Sequence, residues 1–274
     1  MVAAARQHAI VIPREHGAWG ILLIPLATGV SLGLLTGGSP SRLAPLSIAT
    51  FALFWLRTPI ESWTGSSPVR ARTPAEIRLA RKAAIALATV STLALIWLFW
   101  GGRNHDLLWI GTAAGVAFVV QAILKQGRNS RTAVQIAGAV GLTSTAPAAY
   151  YVVTAHMGIP AGWLWAANLL FAVNQIQFVQ LQIRASRAVT RRDRIRIGRR
   201  FLVSQIILMS LAISAYAVHL LPWYAALAFL PLLIRGFAWF AVEPRPLVIH
   251  ALGKRELGYA VLFGVCLVAG MLVP

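Results

Sequence analysis

Polar and apolar residues are segregated along this chain into nine apolar stretches separated by polar or basic segments, two of them long. The stretches run over residues 17–36, 43–57, 82–101, 107–124, 133–155, 161–182, 201–218, 221–242 and 256–273. A helix rises about 1.5 Å per residue, so roughly 17–25 apolar residues cross the hydrocarbon of a bilayer. Most of the stretches have that length; the one at 43–57 is short and is expected to extend into its flanks. The pattern predicts an all-α fold, a polytopic membrane helix bundle of nine transmembrane helices forming a single membrane domain over 1–274.

Charge then orients the bundle. When the spans are threaded with the N-terminus inside, all of the 25 Lys and Arg residues except Arg42 and Arg103 fall on the inner side. Lys and Arg are retained on the cytoplasmic side during insertion, so the N-terminus is expected in the cytoplasm and the C-terminus outside. A chain that is 58% hydrophobic, with ten Trp and only seven acidic residues, lacks the polar surface of a water-soluble domain. The net charge of +18 would suggest nucleic acid in a soluble protein. Here the basic residues lie between apolar spans, so they read as topology determinants and contacts to anionic membrane lipids, and no nucleic-acid partner is expected. The single cysteine, Cys266, falls within the last span and reads as a small packing residue. The first 16 residues are too polar for a signal peptide.

The chemistry of interest lies in polar residues that interrupt the apolar runs. Arg14, Glu15 and His16 stand together at the mouth of the first span, within Pro13-Arg14-Glu15-His16-Gly17-Ala18-Trp19. They read either as an interfacial anchor or as an anion or proton site in which Glu15 and His16 are the catalytic candidates. The sixth span carries Asn168, Asn174, Gln175, Gln177, Gln180 and Gln182 ahead of Arg184. Helical spacing places Asn168, Gln175 and Gln182 on one face and Gln177, Gln180 and Arg184 on another. So many amides cannot face lipid, so this helix is expected either to tie neighbours by hydrogen bonds or to line a hydrated cavity. Arg57 ends the second span, Arg235 sits within the eighth, and Glu256 opens the last. For Arg235 the acids Glu15, Glu61 and Glu256 are all candidate partners. Of the inner loops, 58–81 is expected to be irregular in its first half, with Thr73 capping the next helix, and 183–200 is expected to prolong the sixth helix beyond the bilayer. No cluster of Cys, His or acidic residues has metal-ligand spacing, so no metal and no cofactor are predicted.

Four segments together resemble the YwiC-like family of bacterial integral membrane proteins: the opening Pro13-to-Trp19, Arg57-Thr58-Pro59, Ser144-Thr145-Ala146-Pro147-Ala148-Ala149-Tyr150, and Gly253-Lys254-Arg255-Glu256-Leu257-Gly258. That resemblance implies a multi-pass protein of the bacterial cytoplasmic membrane. More distantly, the span number and the two long inner loops resemble the UbiA superfamily of membrane prenyltransferases, whose Asp-rich motifs after the second and sixth spans hold magnesium and an isoprenoid diphosphate. This resemblance implies a UbiA-like arrangement of helices and, if the protein is an enzyme, a transferase acting on an isoprenoid or other lipid. At the positions of the second motif the chain has Gln177, Gln180 and Arg184, and after the second span it has Arg57 and Glu61. Amides and guanidinium groups do not supply the anionic oxygens magnesium needs, so magnesium is not expected. Arginine holds phosphate or carboxylate directly. The expected ligand is therefore an anionic, lipid-like or isoprenoid molecule in a basic cavity facing the cytoplasm, contacted by Arg14, Arg57, Gln177, Gln180, Arg184, Arg235 and Glu256. The alternatives are a transporter of a small anionic solute and a non-catalytic assembly partner of a membrane complex.

Overall fold

The computed structural model describes residues 2–13, 16–65, 69–100, 105–127, 131–187, 190–218, 222–242 and 248–273. They are helical almost throughout, with no strand among them. The α-helices in chain order are α1 (Val2–Val11), α2 (His16–Leu35), α3 (Leu43–Thr64), α4 (Pro74–Phe99), α5 (His105–Gln126), α6 (Arg131–Thr143), α7 (Thr145–Thr154), α8 (Ile159–Arg184), α9 (Arg191–Ala217), α10 (Trp223–Ala226), α11 (Leu230–Ala241) and α12 (Ile249–Leu272). Among the described residues, eight segments are long and apolar enough to cross a membrane. The predicted sixth span is not one of them. It forms α8, a helix of 26 residues, and its amides lower its hydropathy although its length suffices.

Several boundaries differ from those the apolar runs suggest, each for a local reason. The second span continues through Pro59 to Thr64, where Gly65 adopts the left-handed conformation (φ 77°) that closes a helix. This replaces the irregular segment expected directly after residue 57. The fifth span breaks at Ser144 into α6 and α7. Pro147 has no N–H for the carbonyl of Thr143, and its ring crowds that carbonyl, so one continuous helix is disfavoured there. The eighth span is likewise divided, with a 3-10 turn at Leu227–Phe229 between α10 and α11 and Pro231 in the first turn of α11. Residues 183–200 do not prolong α8. The helix gives way to a 3-10 turn at Ala185–Arg187, and α9 starts anew with Thr190 accepting from the Asp193 N–H. Finally, α12 starts at Ile249, so Glu256 stands two turns inside the helix rather than opening it.

The chain packs as two compact units. The first comprises residues 1–16 and 39–104. Its body is the hairpin of α3 and α4, with α1 against both. The sequence gives little hint of α1, which is held by polar anchors at its middle and its C-terminal end. Arg6 donates to Glu76 Oε1 (2.6 Å) and to the Arg70 carbonyl (2.9 Å), and the Trp55 indole donates to the Val11 carbonyl (2.7 Å). Glu76 also completes the predicted cap of α4: its carboxylate accepts from the Thr73 N–H, while the Thr73 hydroxyl accepts from the Glu76 N–H.

The second unit comprises residues 17–38 and 105–274. Within it α8 contacts α6, α7, α9 and α12, and its apolar side enters a core built on Leu164, Phe171, Phe229, Phe263 and Leu267. Phe171 and Phe263 stack with centroids 4.4 Å apart. The segment Arg131–Thr154 is the most enclosed of the apolar segments, with 78% of its most apolar window buried. Close approach of α2 makes this enclosure tight. A side chain at Gly29 would strike the Ala146 carbonyl, and one at Gly33 would come within 2.9 Å of Val153, so this Gly-x-x-x-Gly pair lets α2 lie directly on α7. By contrast, α5 and α9 turn most of their apolar residues outward, as helices facing lipid do.

Candidate functional site: a polar junction inside the second unit

Four helices of the second unit bring polar side chains into its interior. Arg235 on α11 is 6% exposed and Glu256 on α12 is 4% exposed, and the Arg235 guanidinium donates to Glu256 Oε2. Arg235 lies six residues before the C-terminal end of α11 at Ala241, and Glu256 lies seven residues after the start of α12 at Ile249, about 9–10 Å by helical rise. The second guanidinium nitrogen donates to Asn174 Oδ1 on α8 (2.9 Å). One residue further along α8, Gln175 donates to the backbone carbonyl of Glu256 (3.0 Å). Aromatic rings complete the enclosure, with the guanidinium carbon 4.1 Å from the centroid of Phe178 and 4.9 Å from that of Tyr259. The ring faces carry negative potential and so stabilise the cation where water is displaced.

The junction is well paired but incompletely satisfied. Asn174 Nδ2, Arg235 Nε and Glu256 Oε1 are buried without a hydrogen-bond partner among the described residues. So are both amide atoms of Gln205 on α9, a residue with 0% exposure. Gln205 lies against Gly236, next to Arg235: a side chain at Gly236 would meet the Gln205 amide at 2.6–2.8 Å. A buried polar atom left without a partner costs on the order of 1–3 kcal/mol, so such a group is normally filled by something.

A second polar locus lies at the C-terminal end of α8. Gln180 donates to Gln135 Oε1 (3.0 Å), and one turn further on Arg184 donates to the Thr132 hydroxyl (3.2 Å), joining α8 to α6 through exposed side chains. Gln177 lies one turn before them, half-buried. Because Thr132 is neutral, this contact leaves the charge of Arg184 intact.

The predicted site residues therefore separate into groups. Arg235 and Glu256 meet, which identifies the partner of Arg235 among the three candidate acids. Gln180 and Arg184 share one edge of α8 as the helical spacing indicated. Arg57 belongs to the first unit, where it donates to Glu61 (2.8 Å). Arg14 and Glu15 lie outside the described residues, and so does the side chain of His16, whose backbone begins α2. Of the other amides, Asn168 ties α8 to α2 by donating to the Thr28 hydroxyl (3.1 Å), so at least part of the amide series joins helices.

Two residues escaped the sequence reading. Gln205 is an isolated amide in an apolar run, a signal as visible as the amides of α8. Arg194 reads from the sequence as one more inner-loop charge, yet it is 7% exposed, donates to the Trp239 and Val242 carbonyls, and lies 4.2 Å above the Trp239 ring. It thus closes the C-terminus of α11 by satisfying carbonyls that have no partner within the helix.

The apolar helical segments, the outward aliphatic faces and the enclosed charge pair define a multi-pass α-helical membrane protein. No curated protein and no solved structure matches the chain. The family described as YwiC-like protein matches residues 12–150, and the chain belongs to that family.

Proposed function

We propose that this protein is a nine-span protein of the bacterial cytoplasmic membrane, N-terminus in and C-terminus out, that binds an amphipathic molecule with an anionic head at the cytoplasmic end of α8. The observation that carries this reading is the state of Arg184. Arg57 and Arg235 each face a carboxylate, whereas Arg184 is exposed and held in place by a neutral hydroxyl. A guanidinium oriented in this way is suited to phosphate or carboxylate, with Gln180 and Gln177 as neutral hydrogen-bonding neighbours. The inclusion of α8 as the ninth span rests on its 26 residues and on its apolar partners in the core. The basic segments after α3 and α8 fit a UbiA-like arrangement in which the acidic motifs are replaced, and the ligand class follows from it: a lipid or isoprenoid head group bound without a metal. A transport role is the second reading, favoured by the breaks at Ser144 and Leu227–Phe229, since interrupted spans recur at the binding sites of transporters.

Mass spectrometry of lipid retained after mild detergent extraction tests the first reading. An anionic lipid-like species should be recovered with the wild type, persist through chelation of divalent cations, decline as salt rises, and be lost from Arg184→Gln with thermal stability unchanged. Equal retention by Arg184→Gln, or loss on chelation with recovery on adding magnesium, would refute it. Retention of no small molecule, together with uptake of an anion into vesicles, would replace it with the transport reading.

A further inference from the structure

The junction of α8, α9, α11 and α12 lies apart from the α8 edge that carries Arg184, and its unsatisfied atoms specify a ligand of their own. We propose that Asn174, Arg235 and Glu256 hold a water molecule inside the second unit, with a further hydration position against the amide of Gln205. Arg235 Nε and Asn174 Nδ2 present hydrogen to be accepted, and Glu256 Oε1 presents a lone pair to be donated to. Water fits this set, because it accepts two hydrogen bonds while donating to a carboxylate. Gln205 offers one free donor and one free acceptor, again the complement of water.

Other occupants fit less well. An anion would be drawn to the two donors, but the Arg235 charge is already offset by Glu256, whose free oxygen would repel it. A cation would find one carboxylate oxygen and one amide oxygen, beside a guanidinium. The pairing itself also prevents a simple exchange of roles by amide rotation: Asn174 is oriented by the guanidinium donating to its oxygen, so its NH2 group is directed elsewhere. The five unpartnered atoms come from four residues, each at most 6% exposed and each on a different helix. Hydration here lets a membrane-embedded unit retain a charged pair.

Hydroxyl-radical footprinting by X-ray radiolysis of the detergent-solubilised protein tests this, because radicals formed from a bound water oxidise side chains next to it even when bulk solvent is excluded. Phe178, whose ring lies against Arg235, should be modified several-fold faster than Phe171 and Phe263 in the apolar core, although all three rings are nearly inaccessible. Chemically identical rings make the comparison internal. Asn174→Leu should lower the Phe178 rate toward that of Phe263. Wild-type Phe178 reacting no faster than Phe263 would overturn the proposal, as would an unchanged Phe178 rate in Asn174→Leu. Should Asn174→Leu fail to fold, the wild-type comparison still decides.

Discussion

Replacing Glu256 by Gln removes one charge from the α11–α12 pair and changes almost nothing else. The side chain keeps its length and an oxygen able to accept from Arg235, so the loss is electrostatic. Arg235 cannot relieve it by reaching water: it is 6% exposed, about two helical turns from the end of α11, held by Asn174, and faced by Phe178 and Tyr259. Breaking a buried pair by removing one partner typically costs about 3–5 kcal/mol, because the other charge is left uncompensated. The aromatic contacts are present before and after substitution and cancel in the difference. Glu256→Gln is therefore expected to lose about 3 kcal/mol of stability, measured by denaturant unfolding in mixed micelles with the tryptophans as reporters. The double variant Arg235→Met/Glu256→Leu removes both charges and is expected to recover most of that loss. Recovery should stop short of wild type by roughly 1–2 kcal/mol, since Asn174 Oδ1 then has no donor, and adding Asn174→Leu should remove that residue of the penalty. A Glu256→Gln variant within about 1 kcal/mol of wild type, or a double variant as unstable as the single, would refute the assignment of this pair as a mutually compensating buried charge.

Two further expectations concern packing and orientation. Gly29→Ala should destabilise the second unit by about 1–3 kcal/mol, because the new methyl meets the rigid Ala146 carbonyl, whereas Gly111→Ala, with no neighbouring atom within 4 Å, should be neutral or stabilising; equal effects in unfolding experiments would remove the case for close α2–α7 contact. In a Cys266→Ala background, a cysteine at Arg192 should be shielded from an impermeant thiol reagent in intact cells while one at Val273 reacts, and labelling at position 192 from outside would reverse the proposed orientation.

Much of the architecture is legible in the sequence because a lipid environment allows few solutions. Backbone N–H and C=O groups in hydrocarbon must be paired within their own segment, so an apolar run of sufficient length becomes a helix almost regardless of its neighbours. The runs around 17–36, 107–124 and 201–218 accordingly became helices, and Thr73 with Glu76 announced the start of α4 by purely local hydrogen bonding. Two boundaries moved where polar residues continue a helix past its apolar part, from Arg57 to Thr64 and from Ile249 to Glu256, because hydropathy marks the nonpolar environment and not the end of the helix.

The sequence by itself determined the helical class, the approximate spans, and the presence of amides and charges that lipid would not accept. Only the tertiary structure decided what accepts them. Nothing local distinguishes Glu256 from Glu15 or Glu61 as the partner of Arg235; the choice depends on α11 and α12 lying side by side with Asn174 of α8 between charge and core. Nor does hydropathy explain α8, the least apolar of the predicted spans yet lined with fully buried residues such as Leu164 and Asn168. Hydropathy sums the transfer of each residue into lipid one at a time, whereas α8 transfers its amides into contact with other helices, where a hydroxyl, a carbonyl or a guanidinium replaces the water they leave.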